Sequence, residues 1–273
     1  MEEIGKRRHQ HQHHFVMVHG VCHGAWCWYR VAALLSSAGH RVTALDMAAC
    51  GASPGRAEEV PSFEEYSRPL LDAVAALPPG ERAVLVGHSF GGQCLALAME
   101  RYPDRVAVAV FASAAMPALG KPMTFVLEEF SQETGPDFYM DCTYGASSNP
   151  QYPVETLLLG PEYLAKRLYQ LSSPEDLTLA MAMVRPSQWF ADDAVLKENV
   201  LTAERYGAVR RVCVVAEDDA SWSAEFQRRM ASWNPGTEVR GLKGADHMLM
   251  LSKPRELSEL LVEIADKYRS VYT

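Results

Sequence analysis

Short, almost wholly apolar runs alternate with longer amphipathic ones along most of the chain, the pattern of strands and helices taken in turn. Phe15-Val16-Met17-Val18 reads as a buried strand, and after the turn His19-Gly20-Val21-Cys22-His23-Gly24 a helical period runs from Trp26 to Ser37 and ends at Gly39. Arg41 to Asp46 predicts a second strand. A loop with Gly51, Pro54 and Gly55 leads to a helix over about Phe63 to Ala76, closed by Pro78-Pro79-Gly80. A third strand follows at Ala83 to Val86, then a helix from Gly91 to about Arg101 and a β-rich run from Val106 to Ala112. The alternation then breaks off, resuming at Arg211 to Ala216 and again at Glu238 to Leu242.

Alternation on both sides of the break predicts an α/β fold, a mostly parallel sheet covered by helices on both faces with right-handed crossovers. The break itself reads as an insertion. The expected organisation is a disordered His-rich tail over 1–14, a core made of 15–116 and 202–273, and a helical lid over 117–201. Aromatic and methionine side chains are dense in the lid, among them Phe125, Phe130, Phe138, Tyr139, Met140, Trp189 and Phe190. They predict an apolar roof over a substrate pocket, while for any one of them packing of lid onto core is the commoner role.

At 273 residues and 48% hydrophobic content the chain is long and apolar enough for one large α/β domain with an insertion. A formal charge of -8 argues against nucleic-acid or anionic-membrane partners, both of which need clustered Lys and Arg. No apolar stretch has the length of a membrane helix and the N-terminus lacks the apolar core of a secretory signal, so a soluble cytoplasmic protein is expected. Six cysteines without a C-x-x-C pair read as reduced thiols. The run His9-Gln10-His11-Gln12-His13-His14 has imidazoles for a transition metal but no ordered partners around them, and reads as a solvated tail. Neither metal nor cofactor is expected.

The chemistry concentrates where the third strand runs into Gly87-His88-Ser89-Phe90-Gly91. This is G-x-S-x-G in a strand, turn and helix context, which thrusts Ser89 out at the edge of a sheet while the flanking glycines let strand and helix approach. A serine hydroxyl is a weak nucleophile at neutral pH and needs an imidazole as general base, oriented by a carboxylate. His247, in the loop after the strand Glu238 to Leu242, lies at the carboxyl edge of the sheet and is the expected base. His19 and His23 read as structural, and His88 should point away from the serine. The strand ending at Ala216 delivers Glu217, Asp218 and Asp219 to the same edge, and strand-end geometry leaves the two aspartates equal candidates. Asp246, adjacent to His247, reads as a loop cap. The amides of Phe90 and Val21 are the expected oxyanion donors.

Taken together, His19-Gly20-Val21-Cys22-His23-Gly24-Ala25-Trp26-Cys27-Trp28, the elbow, Leu168-Tyr169-Gln170-Leu171-Ser172-Ser173-Pro174-Glu175-Asp176-Leu177 and Gly244-Ala245-Asp246-His247-Met248 resemble the plant methylesterase and hydroxynitrile lyase family of α/β-hydrolases. The resemblance spans about 15–270. It implies a six-stranded parallel sheet, often a homodimer, and, through Glu225-Phe226-Gln227-Arg228, Asp219 as the catalytic acid. Members hydrolyse small methyl esters, such as those of salicylate, jasmonate or indole-acetate, or cleave cyanohydrins. Lyases of the family carry a lysine after the catalytic histidine and a threonine in the oxyanion loop; Met248 and Val21 stand there and donate nothing from their side chains, which favours the esterase. A receptor that binds a small hormone and turns it over slowly is the other alternative. The implied pocket holds Gly20, Ala115, Tyr139, Trp189 and Met248, with Tyr139, Trp189 and Ala115 departing from the salicylate-binding pattern.

Overall fold

The computed structural model describes residues 11–146, 155–198 and 201–269. Its centre is a parallel sheet of six strands: β1 (His14–Val18), β2 (Arg41–Leu45), β3 (Ala83–Ser89), β4 (Val106–Ala114), β8 (Arg211–Ala216) and β9 (Glu238–Leu242), in the order β2-β1-β3-β4-β8-β9. One row of the register runs Ala44, Met17, Val86, Val110, Val212 and Glu238 across the whole sheet. The central strands β1, β3, β4 and β8 are buried almost throughout, as expected of strands with helices on both faces.

The covering helices are α1 (Tyr29–Ser37), α2 (Phe63–Ala75), α3 (Gly91–Arg101), α6 (Ala224–Ser232) and α7 (Pro254–Arg269), with α1 packed on α7 and α2 on α3. Local signals set their ends. Ser62 caps α2 by accepting the Glu65 amide at 3.1 Å, and Phe63, Tyr66, Leu70, Leu71 and Val74 form its buried stripe. Ser223 caps α6 in the same way through the Phe226 amide.

Three expectations need correction. Residues 11–14 do not belong to a disordered tail: His13 is buried, stacks on His40 and meets Asp266 at 2.7 Å, and His14 opens β1 by pairing with Arg41. The rest of the expected tail, 1–10, lies outside the described residues. The lid is not purely helical. Besides α4 (Phe125–Glu133) and α5 (Pro174–Met183) it holds an antiparallel sheet of β5 (Thr143–Ala146), β6 (Glu155–Leu158) and β7 (Ser187–Gln188). These strands are two to four residues long, too short for a period of two to register in the sequence. The helix expected from Trp26 begins as a turn of 3-10 helix over Ala25–Trp28 before α1.

Candidate active site

Ser89 ends β3 with φ +51°, in the left-handed region that a residue with a Cβ occupies only under constraint. The constraint is close backbone packing. A Cβ on Gly91 would come within 2.6 Å of the His19 carbonyl oxygen, and one on Gly20 within 2.7 Å of the Ser89 Cβ. Two neighbouring positions therefore lack side chains because strand, loop and helix converge on the serine.

His247 is buried in the loop between β9 and the short helix Leu249–Ser252. Its Nδ1–H donates to Oδ2 of Asp219 at 2.8 Å, which leaves Nε2 as the nitrogen able to take a proton. Asp219 lies just beyond β8. Its Oδ1 accepts the amides of Ser221 at 2.7 Å and Trp222 at 2.9 Å, while Oδ2 also accepts from Gln227 at 3.1 Å and from the Ser113 hydroxyl at 2.5 Å. The carboxylate is thus held from both sides. Asp218 faces elsewhere and accepts the Gly244 amide at 2.7 Å. The geometry brings Asp219, and not its neighbour, to the imidazole.

Asp246 accepts from the Leu171 amide at 3.0 Å and the Ser172 hydroxyl at 2.8 Å, joining the histidine loop to the lid, and burial raises its pKa above the usual carboxylate value. The other histidines near the site are neutral struts. His23 donates from Nδ1 to the Val21 carbonyl at 2.9 Å and accepts the Tyr169 hydroxyl at 2.7 Å; burial pulls its pKa down to about 4. His19 bonds the Gly20 carbonyl at 2.7 Å and the Met47 amide at 3.0 Å. His88 donates from Nε2 to the main-chain carbonyl of His247 at 2.9 Å, and burial holds it well below the usual imidazole range.

Ser89 and His247 open onto one cavity of about 270 Å³, which also takes in Gly20, Val21, Phe90, Tyr139 and Trp189. Among the described residues, the amides of Val21 and Phe90 donate to no carbonyl in the turns and loops. Trp189 stands edge-on to both Phe90 and Tyr139, at 6.2 and 6.1 Å between ring centroids, and Tyr139 stacks on Tyr163 at 5.8 Å, so the lid builds an aromatic wall facing the serine. Among the described residues lining the cavity, the one Asp, Glu, Lys or Arg side chain is the exposed Glu128 on α4.

Two expected pocket residues are not in this wall. Ala115 is fully buried, with its carbonyl packed over Gly92 at the start of α3. Met248 is fully buried as well, part of the hydrophobic core rather than of the cavity lining; its amide bonds the Leu168 carbonyl at 3.3 Å and its carbonyl receives the Leu251 amide. Ser113 and Gln227 around Asp219 were not foreseen as site residues. Ser113 sits inside the apolar run of β4, and its only sequence signal is a hydroxyl in a strand with no other polar side chain.

Residues 15–260 match the model of the alpha/beta hydrolase family. The chain is 59% identical over 269 residues to a probable esterase, PIR7A, of Oryza sativa subsp. indica, covering 98% of this chain and all of that one. It belongs to the plant methylesterase family of α/β-hydrolases. Methyl jasmonate esterase 1 of Vitis vinifera is 45% identical over 265 residues, covering 94% of this chain and 98% of the relative. The crystal structure of polyneuridine aldehyde esterase superposes with a TM-score of 0.90 at 42% identity, over 93% of this chain and 100% of that one. This member of the family is a carboxylic ester hydrolase. Among the described residues no helix is long and apolar enough to cross a membrane.

Proposed function

We propose that this hydrolase cleaves small methyl esters through an acyl-enzyme on Ser89, with His247 as general base and Asp219 as its orienting carboxylate. The contact that carries the reading is the 2.8 Å hydrogen bond from His247 Nδ1 to Asp219 Oδ2, in a histidine that shares a cavity with a serine at φ +51°. His247 Nε2 takes the proton as Ser89 Oγ attacks the ester carbonyl, and the amides of Val21 and Phe90 receive the charge on the carbonyl oxygen. His247 then protonates the departing methoxide, and a water activated by the same nitrogen releases the acid. The Asp219 side chain, held by four other donors, orients the imidazole and stabilises the imidazolium.

The cavity supports this substrate class. About 270 Å³ lined mainly by Leu127, Phe130, Tyr139, Leu159, Trp189 and Trp222 suits a compact apolar acyl group with a small leaving alcohol. Likeness to a methyl jasmonate esterase supports plant-hormone-type esters, with methyl jasmonate, methyl salicylate and methyl indole-acetate as the first to try. Val21 contributes only an amide and an apolar surface to the cavity, and the apolar, fully buried Met248 does not line it, which disfavours cyanohydrin cleavage. Six unpaired cysteines, five of them buried, support a reducing cytoplasmic setting.

Single-turnover and steady-state kinetics on a panel of methyl esters, with mandelonitrile alongside, test the reading. Multiple turnovers of an ester are expected. A persistent acyl-enzyme would instead mark a receptor, and faster release of cyanide than of methanol a lyase.

A further inference from the structure

Ser113 occupies a costly position for a residue that does nothing. In the ladder between β3 and β4, His88 pairs with Ala112 and Ser89 with Ala114, so Ser113 is the extra residue of a bulge. It is fully buried and holds φ +42°, where glycine is the residue at ease. The side chain that glycine would lack reaches Asp219 Oδ2 at 2.5 Å and stands 3.3 Å from His247 Nδ1. Among the described residues these two atoms are the hydroxyl's hydrogen-bond contacts. The Ser113 hydroxyl is the donor to Asp219 Oδ2. Gln227, which donates to the same oxygen, also ties the Ala216 amide and the Trp222 carbonyl and so has structural work besides.

We infer that Ser113 is a positioning residue for the hydrolysis proposed above, fixing Oδ2 of Asp219 opposite His247 Nδ1 and drawing off part of the carboxylate's charge. The second effect has a definite sign. A carboxylate relieved of a donor is a stronger partner for imidazolium, so loss of the Ser113 hydroxyl makes His247 hold its proton to higher pH. The other titratable groups around the pair are His88, whose ring lies 4.8 Å from that of His247, His23 across the cavity, Asp246 next in the chain, and Tyr163, whose hydroxyl is 3.3 Å from that of Ser221. None of them bonds Ser113, so a change confined to Ser113 reports on the Asp219 contact.

The test is an NMR titration of the His247 ring in resting enzyme, beside the pH profile of kcat/KM, for Ser113→Gly and Ser113→Ala. Glycine relieves the left-handed backbone, so a folding defect cannot imitate the result. The His247 midpoint is expected to rise by about half a pH unit in both variants, the size of one ordinary hydrogen bond, and the acid limb of kcat/KM to rise with it. The rise should vanish in an Asp219→Asn background, because the effect runs through that carboxylate. An unchanged midpoint in Ser113→Gly, or the same rise with Asp219 already replaced, would overturn the assignment. Because the ring titrates without substrate, a rise in midpoint supports Ser113's role even if the wild-type enzyme hydrolyses no ester, a result that would count against the hydrolysis reading alone.

Discussion

The imidazole of His88 donates to the main-chain carbonyl of His247 at 2.9 Å, tying the residue before the serine to the loop that carries the base, 159 residues away in sequence. The two rings lie 4.8 Å apart; the bond requires the proton on Nε2, and burial keeps the ring neutral. Replacing His88 by Ala removes the donor and leaves a buried carbonyl unpaired. We predict a loss of stability of about 2 kcal/mol and a fall in kcat of about ten-fold with KM little changed. His88→Gln, whose amide can still donate, should recover part of both. Urea denaturation and steady-state kinetics on the two variants decide it; full kcat in His88→Ala would count against the tether.

Gly20 tests the convergence on the serine. A methyl group there would stand 2.7 Å from the Ser89 Cβ and 3.2 Å from its Oγ. Because this contact displaces the nucleophile, Gly20→Ala is expected to lower kcat/KM by about a hundred-fold. Circular dichroism should show the fold retained, so that the loss is local. Wild-type kinetics in this variant would mean that the oxyanion loop moves aside freely.

The two neighbouring aspartates should part company. Asp219→Asn is expected to cost about ten-thousand-fold in kcat, because the amide favours the wrong imidazole tautomer. Asp218→Asn weakens only the cap on Gly244 and should cost stability of about 1 kcal/mol with kcat nearly unchanged. The opposite pattern would assign the acid to Asp218.

Acid should unfold this protein earlier than its carboxylates alone require. His23 is 2% exposed and its pKa falls from 6.5 to about 4 in the fold. The unfolded chain therefore takes up a proton below pH 6.5 that the folded chain refuses until about pH 4, so stability is full above 6.5 and is lost as pH falls through that window. The contribution of His23 alone is about 3 kcal/mol, and buried His19 and His88 act in the same direction. Urea denaturation at neutral and mildly acidic pH measures it. His23→Gln should flatten the dependence, and an unaltered slope would show that His23 is charged in the fold.

Much of this molecule was legible in the chain. The strands at Arg211–Ala216 and Glu238–Leu242 and the helix Gly91–Arg101 appear at their expected bounds; the first strand is an apolar run buried throughout, and the helix opens on the glycine pair after the elbow and ends at Arg101. Ser89 is marked by the G-x-S-x-G elbow at the end of β3, and His247 by its place in a strand-end loop at the same sheet edge. The choice of Asp219 over Asp218 did not follow from pattern, since two adjacent residues past a strand differ only in direction, and that direction is fixed by the Ser221 and Trp222 amides. Met248 shows the converse error. The resemblance implies it as a pocket residue, yet it is fully buried in the core and does not line the cavity. Contacts made between distant segments, Ser113 with Asp219 among them, have no local signature.

The central claim is that Ser89 carries the acyl group, and intact-protein mass spectrometry during methyl ester turnover tests it most directly. The wild-type enzyme should show an adduct of the acyl mass that maps to Ser89 and disappears as substrate is exhausted, while Ser89→Ala should form none and lose about a million-fold in kcat. Ester hydrolysis that persists near the wild-type rate in Ser89→Ala, or an adduct that maps to another residue, would contradict the account.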